Sequence, residues 1–301
     1  MKTIFYSGVI LSFFFILAME SQNKKEANRM NTENEMKIVT SEDGTKIAYR
    51  VTGSGPPLVL LHGSGVSDHR RWEIAGVRPS LAEHFTVYAI DRRGRGMSGD
   101  NEVYEFEREV EDVVAIVENI DEPASLLGHS YGALIALETA LRTYDINKLI
   151  LYEPPIPVDG QKLTSDEVIA EMNDLLDEGK NEQALILFFQ EIGGLTPEEI
   201  ETFRTNPGWQ DRINGAHTLP REEQAIAGYE FHPARFAEIT IPTLLISGGE
   251  SPQIYRNATK AVHESLPDSR ISVFEGEKHV AMNNVPDRFI EEVVKFIQKS
   301  N

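Results

Sequence analysis

In Gly128-His129-Ser130-Tyr131-Gly132 a serine stands between two glycines, directly after the apolar run Ala124-Ser125-Leu126-Leu127 and before the helix-forming stretch Ala133-Leu134-Ile135-Ala136-Leu137. That context predicts a sharp turn from a buried strand into an amphipathic helix. On such a turn the serine backbone is strained and its hydroxyl stands clear of the sheet, while the glycines let strand and helix pass closely. The turn also aims the first free N–H groups of the helix at whatever binds there, where they can hold developing negative charge. A serine so placed suits nucleophilic attack on a carbonyl. An ordinary glycine-rich turn is the bland alternative, and it requires neither flanking element.

The elements that must position this serine follow from the apolar pattern. From Met36 onward short apolar runs alternate with helical stretches, as in β–α units around a mostly parallel sheet. Strands are expected at Met36–Thr40, Lys46–Thr52, Leu58–Leu61, Thr86–Ile90, Ser125–Leu127, Lys148–Tyr152, Thr243–Ser247 and Arg270–Phe274. Glu42-Asp43-Gly44 between the first two reads as a hairpin turn, so the sheet should start antiparallel and continue parallel. Helices are expected at Phe106–Asn119, Ala133–Arg142, Ile254–Ser265 and Pro286–Lys299. Residues 154–239 interrupt the strand pattern with acidic, Leu/Ile-punctuated segments. That length predicts a helical cap inserted above the C-terminal edge of the sheet, where open parallel sheets bind ligands. The expected fold class is therefore α/β: a mostly parallel eight-stranded sheet flanked by helices, with a core of residues 36–153 and 240–301.

Several motifs in order resemble the α/β-hydrolase fold family from about Met36 to the C-terminus. Leu58-Val59-Leu60-Leu61-His62-Gly63-Ser64-Gly65 matches the strand and loop that carry half of that family's oxyanion hole. Asp91-Arg92-Arg93-Gly94-Arg95-Gly96, with Ser98 and Gly99, matches the turn after the next strand; the Ser130 elbow and a late His279 follow. The resemblance implies Ser130 as nucleophile, His279 as its base, and the backbone N–H groups of Tyr131 and Ser64 as oxyanion donors. A hydroxyl needs such a base, which takes its proton and later delivers it to the leaving group. The chain departs from the family at the acid. Leu245-Ile246-Ser247-Gly248-Gly249-Glu250-Ser251-Pro252 puts Ser251 where an aspartate is usual, and a neutral hydroxyl cannot stabilise an imidazolium as a carboxylate does. Glu153, at the end of Leu149-Ile150-Leu151-Tyr152 and before Pro154-Pro155, occupies a second position from which this fold can supply the acid, and it is preferred. Glu250 is the alternative, one residue early. Of the other histidines, His62 and His129 are assigned to packing or supporting hydrogen bonds beside the loop and elbow, and His69, His84 and His263 to solvated faces. His217 and His232 lie in the insertion, where they could touch substrate.

The expected reaction is ester, lactone or related carbonyl hydrolysis through an acyl-enzyme on a small or medium molecule. Carbon–carbon bond hydrolysis on the same fold and a non-catalytic binder are the other readings. Phe188, Phe189, Phe203, Trp209, Tyr229 and Phe231 are expected either to line an apolar pocket or to form the core of the cap. With 301 residues, 41% of them hydrophobic, the chain can bury one large core, and its net charge of −19 argues against nucleic acid or an anionic membrane as partner. The chain has no cysteine, which removes thiolate nucleophiles, disulfides and thiolate metal sites. No histidine pair has metal-ligand spacing, so neither metal nor cofactor is expected. Lys2 and the apolar run from Ile4 to Ala18 read as a signal peptide or N-terminal anchor over residues 1–21, followed by a polar linker at 22–35. Export follows from that segment, and membrane attachment would follow only if it is retained.

Overall fold

The computed structural model describes residues 36–65, 68–158, 160–205 and 208–299, so the expectations for residues 1–35 lie outside the described residues. Eight strands form one sheet: β1 (Met36–Thr40), β2 (Lys46–Thr52), β3 (Pro57–Leu61), β4 (Thr86–Ile90), β5 (Ala124–His129), β6 (Ile146–Tyr152), β7 (Thr243–Gly248) and β8 (Ser269–Phe274). Their spatial order is β1-β2-β4-β3-β5-β6-β7-β8. β2 pairs antiparallel with β4, and every pairing from β4 through β3 to β8 is parallel. The helices are α1 (Val77–Ala82), α2 (Phe106–Glu118), α3 (Tyr131–Thr139), α4 (Asp166–Asp177), α5 (Asn181–Glu191), α6 (Pro197–Arg204), α7 (Trp209–Asn214), α8 (Leu219–Ala227), α9 (Pro233–Phe236), α10 (Gln253–Ser265), α11 (Ala281–Asn284) and α12 (Pro286–Gln298).

The central strands β3, β5 and β7 are buried at every residue, which is why they read as continuous apolar runs rather than as an alternation. Period-two geometry then sends alternate side chains to opposite faces. Val59, Leu61, Leu126, Leu149, Leu151 and Leu245 join the core under α2, α3 and α10. Leu58, Leu60, Leu127, Ile150, Leu244 and Ile246 join the opposite core with Trp72, Leu81, Phe289 and Val293. Two differences from expectation have physical causes. α3 starts at Tyr131, because the elbow enters the helix without a connecting residue, and it is buried on every side rather than amphipathic. The 3₁₀ turn at His69–Gly76 and short α1 were not anticipated, since neither is long enough to show a helical period.

Residues between β6 and β7 carry six α-helices among the described residues and a hydrophobic cluster of their own, including Met172, Leu185, Phe188, Phe189, Ile200 and Trp209. Phe203 packs against that cluster, while Tyr229 and Phe231 pack against the core beside α3. α6 begins with a reciprocal cap, Thr196 accepting from Glu199 N–H and Glu199 accepting from Thr196 N–H. No helix among the described residues is long and apolar enough to cross a membrane.

Candidate active site

The parallel strands deliver their C-terminal ends to one edge, and the candidate residues converge there: His62–Gly65 after β3, Ser130 after β5, Glu153 after β6 and His279 after β8. Ser130 has φ 55° and ψ −125°, a conformation costly for a residue with a side chain. Close crossing of backbone holds it. A Cβ on Gly128 would lie 2.3 Å from the Gly132 carbonyl oxygen, and one on Gly132 would lie 2.4 Å from that of Leu61. Ser130 N–H donates to the Tyr152 carbonyl at 2.8 Å, tying the turn to the neighbouring strand.

Glu153 and His279 meet directly, Nδ1 to Oε2 at 2.6 Å. Glu153 is fully buried and itself has φ 48°, a second strained position at the strand ends. Its other oxygen accepts from Gly248 N–H at 2.8 Å and from the Ser247 hydroxyl at 3.0 Å. The Ser251 hydroxyl also faces this carboxylate, though without hydrogen-bond geometry. Burial pushes the Glu153 carboxyl up, but the His279 hydrogen bond and charge and the Gly248 N–H outweigh it and hold the group below its usual range. It therefore stays ionised at neutral pH. Glu250, by contrast, is exposed and does not reach this cluster. Ser251, at the place where the family usually has an aspartate, instead sits against the Glu153 carboxylate that arrives from β6.

The loop carrying His279 is clamped on both sides. The Tyr152 hydroxyl donates to the Lys278 carbonyl at 2.6 Å and accepts from Ala281 N–H at 2.9 Å. His129 Nε2 lies 2.8 Å from the His279 carbonyl oxygen, and Tyr255 stacks on the His279 ring at 4.4 Å. Burial, then the charges of His279 and Arg71, keeps His129 neutral, so its Nε2–H is free to donate to that carbonyl. The Ser130 hydroxyl makes no hydrogen bond among the described residues. Tyr152 and Tyr255 were not singled out in the sequence; a tyrosine at a strand end carries no spacing that marks it.

Gly63 packs against the serine: a Cβ there would lie 2.8 Å from Ser130 Cβ and 3.1 Å from the His129 carbonyl oxygen. Ser64 follows Gly63 in the chain, and Tyr131 N–H, in the first turn of α3, has no intrahelical acceptor. Gly63→Val should lower kcat/KM by about 10²-fold or more, the typical cost of losing one preorganised donor, whereas Ser64→Ala leaves both backbone groups and should cost far less. Steady-state kinetics of the two variants on one ester checks this ordering.

Behind the loop lies a buried charge network. Arg92 pairs with Glu109 at 2.5 Å and with Glu222 of α8 at 2.9 Å, and Arg95 reaches Glu222 at 3.0 Å. Arg92 also donates to the Gly63 carbonyl at 3.3 Å and stacks over the Tyr131 ring at 4.7 Å. The Asp91–Gly96 turn thus supports the loop from beneath. His69 proves buried, correcting its assignment to a solvated face: its Nδ1 lies 2.6 Å from Asp91 Oδ1. Asp68, His69 and Asp91 are close enough to suggest a metal cage. Their oxygens, however, already take N–H donors: Asp91 from His69 and Met97 N–H, each at 2.9 Å, and Asp68 from Arg70 N–H at 2.8 Å and from its guanidinium. The donor set fits a hydrogen-bonded post rather than a cation.

Next to Glu222 stands Glu223, 2% exposed, whose carboxylate accepts from the Thr164 hydroxyl at 2.6 Å. Burial, with repulsion from Glu222, pushes its carboxyl up to about 7. A raised carboxyl penalises the folded state once the unfolded chain ionises. Stability should be free of the penalty below pH 4 and fall by about 3 kcal/mol as pH rises to about 7. Glu223→Gln should therefore raise the melting temperature at pH 8 and leave it little changed at pH 4; thermal unfolding at both pH values tests the sign.

A strained serine at a strand-to-helix turn, a buried carboxylate joined to a late histidine and this strand order define the class. The chain belongs to the alpha/beta hydrolase family, whose model matches residues 58–292. It is similar to an alpha/beta hydrolase from Sphaerobacter thermophilus, with 36% identity and a TM-score of 0.74 over 87% of this chain and 100% of that one. It also resembles an esterase from a Rhodococcus species, with 29% identity and a TM-score of 0.71 over 88% of this chain and 99% of that one. A pimeloyl-[acyl-carrier protein] methyl ester esterase of Nitrosospira multiformis is 26% identical across 81% of this chain and 95% of its own length. The protein is a hydrolase with esterase-like relatives.

Proposed function

We propose that the protein is a serine hydrolase that cleaves small or medium esters, lactones or related carbonyl compounds through an acyl-enzyme on Ser130. The observation that carries this reading is the Glu153–His279 contact at 2.6 Å, made across the sheet edge from the strained Ser130. With Nδ1–H donated to Glu153, the lone pair of His279 lies on Nε2, the form a general base requires. His279 takes the Ser130 proton as Oγ attacks the carbonyl carbon, and Glu153 stabilises the imidazolium that forms. The backbone N–H groups of Tyr131 and Ser64 receive the oxyanion. Collapse of the tetrahedral intermediate expels the alcohol, protonated by His279, and water repeats the sequence to release the acid. Proton transfer requires the histidine to come within hydrogen-bond reach of Ser130, a contact often long in free enzymes and shortened once substrate binds. Residues 154–239 act in this reading as a cap that shapes the substrate pocket.

Turnover of a short-chain p-nitrophenyl ester, beside fluorophosphonate labelling of Ser130, tests the reading. Hydrolysis and labelling that both vanish in Ser130→Ala support it. Labelling without ester turnover moves the assignment to carbon–carbon bond hydrolysis, and neither signal makes the protein a binder.

A further inference from the structure

We propose that the substrate pocket contains an anion subsite, built on Arg212 of α7 with Arg71 behind it, that takes a carboxylate on the substrate. The proposal rests on the serine-hydrolase reading for where the reaction occurs. Its basis is a mismatch in the charge pairing of the interior. The other arginines buried near the site are matched by carboxylates: Arg92 by Glu109 and Glu222, Arg93 by Asp43 and Asp112, Arg95 by Glu222. Arg71 and Arg212 make no ion pair among the described residues. Arg71 is 5% exposed, donates one Nη1 hydrogen bond to Asn283 at 2.8 Å, and has a buried Nη2 with no partner. Arg212 donates to the Gly65 carbonyl and lies 5.9 and 5.7 Å from the rings of Phe189 and Phe203. Asp68, the carboxylate that acts on Arg212, is already engaged by Arg70. Burial pushes both guanidiniums down to about 10, aided at Arg71 by the charge of Arg212 and at Arg212 by that of Arg95.

A buried cation, Arg71, that feels the charge of a half-buried one, Arg212, is costly unless an anion joins them. Their position names the source. Gly65 lies two residues after Gly63, which packs on Ser130, Arg71 acts on His129 beside Ser130, and Asn283 follows His279 by four residues. An anion bridging these groups would belong to the molecule being hydrolysed. A guanidinium edge matches the flat, two-oxygen shape of a carboxylate, and a dicarboxylic half-ester carries one at a short distance from its ester carbonyl. In a chain of net charge −19, such local cations must supply the recognition that the surface field opposes.

The test compares ester pairs that differ only in charge, with the full-length enzyme: mono-4-nitrophenyl glutarate against its terminal amide, and 4-acetoxybenzoate against 4-acetoxybenzamide. The pairs place the carboxylate on the acyl and the alcohol side. The expected result is a preference of about tenfold or more in kcat/KM for the anion in one pair, the scale of one charged hydrogen bond. That ratio should fall toward one in Arg212→Met. Ratios near one in wild type with Ser130 still labelled by fluorophosphonate, or a ratio unchanged in Arg212→Met, overturn the subsite and leave the hydrolase reading intact. Without labelling or turnover the hydrolase reading fails. The subsite is then judged by whether glutarate or benzoate raises the melting temperature of wild type but not of Arg212→Met. No rise, or a rise with inorganic phosphate alone, overturns it.

Discussion

Replacing Ser130 with alanine is expected to lower kcat by about 10⁶-fold, the scale of losing a nucleophile whose partners act only through it. Three features of the elbow support so large a loss. The serine is held at φ 55° by backbone crossings with no room for a Cβ at Gly128 or Gly132. The Gly63 loop presses on its side chain, and the other hydroxyl of the turn, that of Tyr131, is hydrogen-bonded with the Tyr104 hydroxyl at 2.7 Å. Alanine keeps that backbone, so the variant should fold and retain substrate affinity while the covalent step disappears. A residual rate above water is expected from the backbone donors and from binding. The measurement is kcat on a reactive ester together with intact-protein mass after brief acylation. A loss of less than tenfold, or an acyl adduct on the alanine variant, would show that another group attacks.

Glu153→Gln is expected to cost about 10⁴-fold in kcat, and Glu250→Gln little. The amide is isosteric and can still accept from Gly248 N–H and the Ser247 hydroxyl, so the fold is spared. It cannot balance the charge that His279 gains. An amide nitrogen facing Nδ1 would also favour the tautomer that places the proton on Nε2, where a base must have none. Because the carboxyl is held below its usual range, the wild-type enzyme should keep its acid ionised into mildly acidic solution. Glu250 is exposed and has no part in this pairing. Near-complete loss in Glu250→Gln with little change in Glu153→Gln would reverse the assignment. Both variants should be compared at the pH of maximal wild-type activity.

The strands were legible because β3, β5 and β7 are buried on both faces and leave unbroken apolar runs, and the elbow because its glycines have a steric reason visible in sequence. The position of Glu153 was legible as a carboxylate at a strand end before two prolines. Its contact with His279 was not, because 126 residues separate the two and only the strand order brings β6 beside the His279 loop. The Arg92–Glu222 pairing is hidden for the same reason. In sequence its arginine is part of a turn motif, and its glutamate is one acid among many in an acidic insertion. His69 was misplaced because a histidine in a polar stretch reads as exposed until its carboxylate partner, 22 residues away, is known.

The contacts between the insertion and the sheet fall into two sets that respond differently to ionic strength. Glu222 with Arg92 and Arg95 is fully desolvated, and salt barely screens charges at that depth. Arg70 with Asp211, and Asp100 with Arg221, lie nearer the surface, where added ions weaken attraction. Rising salt therefore weakens the pairs of Asp211 and Arg221 while the neighbouring Glu222 anchor persists, so adjacent residues of α8 hold the insertion by forces of unequal salt sensitivity.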